Sequence, residues 1–282
     1  MNENIINKFK QYCISVWRLT PKTADDYVYR IRDYNYNTIT LDNFNNWISL
    51  LTEKGNGNQT INTAVSAFKS FCKFLRISEH IDIPYEIMDW KQLRVPKRET
   101  IVLFEDDIAD MLKHTKDKTM IAFLTCYSES GCRFSELIDI TYEEYLKAKE
   151  LKEYTLIGKF DNERTIAFTQ KMVAAVEEYL PKREKILSRT NTNSHLLFIS
   201  KKGNKMSLGN INGALKNIAH RCNINKFDKM SSHKIRHFFI TNRNYKGDNI
   251  VDIADYVGHK NISTTNRYLH SDKRLLSQLK QA

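Results

Sequence analysis

Helical periodicity runs through most of this sequence, and it stops most completely between Asp89 and Thr100. In Trp-Lys-Gln-Leu-Arg-Val-Pro-Lys-Arg-Glu-Thr no apolar stripe can be drawn, and Lys91, Arg94, Lys97 and Arg98 stand around Pro96. A proline among charges suits neither a helix interior nor a central strand, so this stretch is expected to be an exposed basic linker able to touch phosphate. A chain of 282 residues interrupted there is expected to form two domains, each with its own core. The expected boundaries are 1–90, a linker over 91–100, and 101–282.

Before the interruption every periodic segment is helical. Ile5, Phe9 and Tyr12 recur at helical spacing, and Thr20-Pro21 reads as a cap with proline in the first turn of a helix over 22–34. A helix over 41–51 follows, then the breaker Gly55-Asn56-Gly57-Asn58. From Thr60 on, Ile61, Val65, Phe68, Phe71, Cys72 and Leu75 fall on one face, as in a bundle core. After the linker, helices are expected over 105–114 and 119–130. A hairpin follows in YTLIGKFDNERTIAF, with Asp161-Asn162 at its turn, and HLLFIS is expected to add a third strand. Helices are expected at 171–186, 207–222, 233–245, 249–257 and 263–280. The fold class is mainly α with a small β-hairpin or three-stranded sheet.

Forty-four basic side chains against 33 acidic ones leave a net charge of +11. Both sides of Arg98 are basic, and from Lys216 to Lys246 eight Lys or Arg face Asp228 alone, so a polyanion, nucleic acid first, is the expected partner. No run of 18 apolar residues appears, and MNENIINKFK lacks a secretory core, so the expected setting is the cytoplasm, with the protein on the nucleoid and no membrane partner. Cysteines 13, 72, 126, 132 and 222 contain no CxxC pair and read as buried thiols, neither a disulfide frame nor a zinc knuckle. No cofactor and no metal is expected.

Four segments carry chemistry. In SGCRFSELIDI, a helix ends near Ser130, Gly131 reverses the chain, and Arg133 precedes the next helix, where helix-terminal N–H groups and a guanidinium can hold a phosphate. In SSHKIRHFFIT, Ser231 or Ser232 caps a helix on which His233, Arg236 and His237 share a face. The position disfavours an imidazolium, which leaves His233 able to accept a proton. A zinc pair at His233 and His237 lacks the Glu of HExxH and has an arginine on the same face. In DYVGHKNISTTNRYLH, Gly258 closes a helix, His259 follows, and Tyr268 sits on the next helix, where a phenol beside cations can act as a nucleophile. Lys159 stands at the hairpin turn. Each segment alone has a bland reading, as solvated charge, cap or packing. Together they supply the cationic donors, nucleophile and acid that phosphoryl transfer requires.

At these residues the sequence resembles the tyrosine recombinases, the family of phage integrases and Xer-type enzymes. GCRFSEL, IGKFDNER, HKIRH and GHKNISTTNRYLH stand in the family's order, with nine residues from His259 to Tyr268. The resemblance covers about 100–282 closely and 1–90 more loosely, through TINTAVSAFKSFCKFL. It implies a helical core-binding domain that clamps DNA and a mixed α+β catalytic domain. It also implies that Arg133 and Arg236 clamp the scissile phosphate, that His259 donates to it, and that His233 serves as acid or base. Lys159 would protonate the leaving 5′-oxygen, and Tyr268 would form a 3′-phosphotyrosine. Glu136 would buttress the site, with His237 behind it. Phe160 stands where relatives often carry glycine, which leaves the turn around Lys159 open.

The implied activity is site-specific recombination of duplex DNA at paired half-sites, for integration, excision or resolution, without metal or ATP. Four protomers would assemble on DNA, with an accessory directionality protein as a further partner. The RLLSQL stretch near the end has apolar spacing suited to docking on a neighbour. Type IB topoisomerase-like relaxation and a non-catalytic DNA-binding factor are the alternatives.

Overall fold

The apolar face drawn from Ile61 to Leu75 becomes the buried side of a 21-residue helix, α4 (Asn58–Ser78). In the computed structural model, which describes residues 3–34, 39–96, 101–157 and 163–259, the chain divides into two units, one up to Arg98 and one from Glu99. Around α4 in the first unit pack α1 (Glu3–Ser15), α2 (Pro21–Ile31) and α3 (Leu41–Glu53), and α5 (Tyr85–Asp89) packs on α3. Thr20 caps α2 by accepting the Thr23 N–H at 3.2 Å, with Pro21 at the first helical position. The core is dense in aromatic rings, with Phe9 edge-on to Phe71 at 5.1 Å and Phe44 stacked on Phe68 at 5.7 Å.

Three side chains of α4 hold the segment that follows α5. Buried Asn62 donates to the Leu93 carbonyl at 2.9 Å and accepts the Leu93 N–H at 2.8 Å. Asn58 donates to the Arg94 carbonyl, and Lys69 to that of Trp90. This non-helical backbone thus has its hydrogen bonds met by a helix, although it carries no periodic signal of its own.

The second unit is built around α7 (Lys118–Ser130), on which every residue from Ala122 to Ser128 is buried. Packed on it are α6 (Glu105–Lys113), α8 (Phe134–Asp139), α10 (Gln170–Thr190) and α12 (Ser232–Tyr245). Completing the unit are α9 (Tyr142–Leu151), α11 (Leu208–Arg221) and α13 (Ile250–Tyr256). Strands β1 (Glu153–Ile157) and β2 (Glu163–Ala167) pair antiparallel, with Glu153 opposite Ala167 and Ile157 opposite Glu163.

Two expectations are corrected. HLLFIS adds no third strand, and the described sheet has two strands. Leu196 bridges only Thr141 and Ile199 only Lys205, while Leu197, Phe198 and Ile199 are all fully buried. The buried Arg183 guanidinium donates to the Ser194 and Leu196 carbonyls, and Ile140 accepts from Leu197, so the segment is held by scattered partners instead of a ladder. Nor does a serine side chain cap α12. Ser231 occupies the cap position without such a bond, and the Asn212 side chain takes the Ser232 N–H at 2.8 Å. The hairpin turn and the helix expected over 263–280 lie outside the described residues.

Gly131 ends α7 in the left-handed region, at φ 59°. A β-carbon there would lie 2.2 Å from the Phe239 ring of α12. Gly131→Ala therefore combines a strained backbone with an overfilled core, and it is expected to cost about 2–4 kcal/mol. Urea unfolding of the second unit measures this, and relief by Phe239→Leu is expected if the ring contact is the larger part.

Candidate active site

Helix α13 ends in a turn whose every carbonyl is accounted for. Gly258 adopts φ 69°. Its N–H donates to Asp255, and the His259 N–H donates to Ala254 at 2.9 Å. This crossed pair is the Schellman arrangement, and among the described residues the next three carbonyls have no main-chain partners. Three arginines from three other elements take them. Arg164 of β2 donates through Nε to Tyr256 at 3.1 Å, Arg236 of α12 through Nη2 to Val257 at 2.6 Å, and Arg133 through Nη2 to Gly258 at 2.5 Å.

Arg236 is 2% exposed. Its Nη1 donates to the Gly131 carbonyl at 2.7 Å, so one guanidinium joins the C-terminal ends of α7 and α13. Both ends carry partial negative charge, which offsets the cost of burying a cation. Burial, and then the charge of Arg133, still lower its pKa.

Arg133 stands at the cap position of α8. Its N–H donates to Glu136 Oε2 at 2.6 Å and its Nη1 to Glu136 Oε1 at 2.8 Å. The same carboxylate receives both terminal nitrogens of Arg164, Nη1 at 3.0 Å and Nη2 at 2.5 Å. Burial works against ionisation of Glu136, but the bonds from Arg164 and Arg133 outweigh it and hold the carboxyl at about 2. Three guanidinium groups against one carboxylate leave two positive charges here.

Both candidate histidines are held neutral. Half-burial, and then Arg236, Arg133, His233 and Arg164, push His259 down to about 4. His233 is exposed at the rim, yet packing around its ring and the charges of Arg236 and Lys234 lower it as well. His237 is buried within α12, where its carbonyl accepts the Thr241 hydroxyl at 3.0 Å. Arg133, Glu136, His233, Arg236 and His259 are thus brought together, whereas Lys159 and Tyr268 lie outside the described residues. Tyr256, another tyrosine near the site, has its phenol oxygen engaged by the Ala167 N–H and its ring stacked on Phe239 at 5.6 Å. Among the described residues no group of three His, Cys, Asp or Glu is arranged to hold a metal ion.

Arg164 was not picked out from the sequence. The signal lay in strand alternation: in Glu-Arg-Thr-Ile-Ala, Arg164 shares a face with buried Ile166. An arginine on the core side of a ribbon requires a buried partner.

Three arginines fixed around one carboxylate and one helix end, histidines lowered in pKa and a basic chain suit the phosphate esters of nucleic acid. The phage integrase family model matches residues 101–274, and the chain belongs to that family, the DNA-cleaving and DNA-rejoining tyrosine recombinases. It is 27% identical to tyrosine recombinase XerD of Rickettsia bellii over 247 residues, 82% of this chain and 79% of the relative. To tyrosine recombinase XerC of Bacillus subtilis it is 26% identical, over 79% of this chain and 74% of that one. Among solved structures it matches a XerH site-specific recombinase bound to palindromic difH substrate, with a TM-score of 0.71, 17% identity and coverage of 98% of this chain and 84% of the other. A lambda integrase dimer bound to a COC′ core site matches with a TM-score of 0.72 and 12% identity, over 96% and 95%. At these identities the structural likeness speaks for the fold.

Folded, His259 stays neutral down to about pH 4, whereas unfolded it takes a proton near 6.5. The unfolded chain binds more protons within that window, so stability is lost as pH falls through it. Glu136 acts in the same direction lower down, between 4.5 and about 2. His259→Gln keeps a donor and removes the titration. It is expected to reduce the fall in melting temperature between pH 6.5 and about 4, measured by thermal unfolding at fixed ionic strength. An unchanged slope would place that dependence on other groups.

Proposed function

We propose that this chain is a site-specific recombinase that cuts and rejoins duplex DNA through a 3′-phosphotyrosine intermediate. The observation that carries the reading is the paired clamp of Arg133 and Arg236. Each guanidinium is anchored by two of its five N–H donors to carbonyls or Glu136, and its remaining donors are used by no bond among the described residues. Two fixed forks in a site of net positive charge suit the non-bridging oxygens of a phosphodiester. Neutral His259 supplies a further N–H donor, and neutral His233 can take the phenol proton.

In this mechanism the Tyr268 oxygen attacks phosphorus as its proton passes to His233. The bond to the 5′-oxygen breaks, and Lys159 provides the proton that makes it a hydroxyl. Glu136 holds Arg133, and His237 supports α12 behind the site. The phosphotyrosine ester conserves the energy of the original bond, so attack by a 5′-hydroxyl reverses the step without ATP. When that hydroxyl belongs to a second duplex, strands are exchanged. The first unit serves as the core-binding domain and the second as the catalytic domain, joined by the basic linker. Relatives of this fold solved with DNA, among them a XerH recombinase on difH substrate and a lambda integrase on a core site, support duplex DNA as the substrate.

Tyr268→Phe is expected to abolish covalent attachment to a nicked suicide substrate while half-site affinity changes less than about twofold, since one hydroxyl contributes little to binding. Denaturing electrophoresis reads the adduct. An adduct in the variant would return the search to other nucleophiles.

Exchange between two duplexes requires four cuts, so four protomers are proposed to meet on paired half-sites, with Leu275, Leu276 and Leu279 as a docking stripe. Truncation after Ser271 is expected to spare occupancy of one half-site and to lower cooperative occupancy of two, read by gel shift. Unchanged cooperativity would locate the protomer contact elsewhere.

A further inference from the structure

We propose that Arg164 is a positioning residue of the phosphate clamp, which neutralises Glu136 so that Arg133 remains available to the phosphate. The inference rests on the recombinase reading and adds a residue to its site. Glu136 and a phosphodiester are both anions, and both suit the fork of Arg133. With Arg133 as its only cationic partner, Glu136 would cancel the charge that the phosphate needs. Arg164 alters that balance by placing two N–H donors on the same carboxylate, one on each oxygen.

The geometry of Arg164 is set from several sides. Its side chain and that of Glu136 are each 10% exposed, so the pair is little screened by solvent. Its Nε holds the Tyr256 carbonyl, the first of the three in the α13 turn that also receive Arg236 and Arg133. A β-carbon at Gly258 would come within 3.1 Å of Arg164 Cδ and 3.2 Å of Nε, so the turn closes directly over this side chain. Arg164 thus links β2, the α8 carboxylate and the turn that leads into His259. Three of its five N–H donors are engaged, one from each nitrogen, and its side chain is 10% exposed against 43% for that of Arg133. It is therefore placed to act through Glu136 and the turn and not by touching the phosphate.

The test is single-turnover attachment to the nicked substrate, run beside half-site binding. Arg164→Met is expected to slow attachment about 10- to 100-fold, the scale on which outer partners of ligating groups act, with half-site affinity within about threefold. Adding Glu136→Gln to that variant is expected to restore at least about fivefold, because the competing charge is gone. A double variant no faster than Arg164→Met would overturn the proposal, and so would a recovered rate that only follows a recovered melting temperature, since a merely structural arginine would be relieved in that way. If the methionine variant does not fold, Arg164→Lys with and without Glu136→Gln decides by the same comparison. Wild-type protein that forms no Tyr268 adduct overturns the recombinase reading and this inference together. A wild-type adduct formed equally fast by Arg164→Met overturns this inference alone.

Discussion

One carboxylate, Glu136, receives two guanidinium groups, and the arrangement of the second unit's chemistry depends on it. Through Arg133 it reaches the α13 turn at Gly258, and through Arg164 it reaches the hairpin and the same turn at Tyr256. Taking such charges from water costs several kcal/mol per ion, and the cost is offset only when every lone pair and N–H finds a partner. Here the main chain provides many of those partners. A variant that removes one member leaves the others charged and underpaired, which is why neighbouring substitutions in this network will not be additive.

The end of α13 shows how a polar cluster is stabilised inside a helical domain. Helix C-termini present carbonyls that the helix itself cannot satisfy. Gly258 closes two of them by the backbone crossing, and arginines from β2, α12 and the cap of α8 close the next three. The same bonds satisfy the helix and orient the guanidinium groups. Packing behind the turn is equally specific, with Phe239 filling the space that a side chain at Gly131 would need and stacking on Tyr256.

Much of this was legible in the residues themselves. The spacing of His233, Arg236 and His237 on one helix, and of Gly131 before Arg133, put the candidate groups at helix ends and on one face. The stretch that follows α5 was legible only as a loss of periodicity, because the Asn62 side chain that binds Leu93 lies 31 residues away. HLLFIS was misread because a short apolar run does not distinguish a strand from a loop buried on both sides. The partner that settles it, Arg183, sits on α10. Residue type alone points to a serine cap for α12, yet the Ser231 side chain makes no cap bond, and an asparagine from α11 takes the first N–H of the helix, that of Ser232. Arg164 was readable from alternation, but its partners come from α8 and α13 and have no local signature.

The burial of Arg236 also separates two effects of salt. The net charge of +11 draws DNA by displacing counterions from its phosphates, an attraction that weakens steeply as ionic strength rises. A guanidinium with 2% exposure, fixed by the carbonyls of Gly131 and Val257, lies where mobile ions do not enter. With Arg236 in the clamp role proposed for it, ionic strength governs how much of the protein is on DNA and acts far less on how fast a bound molecule cuts.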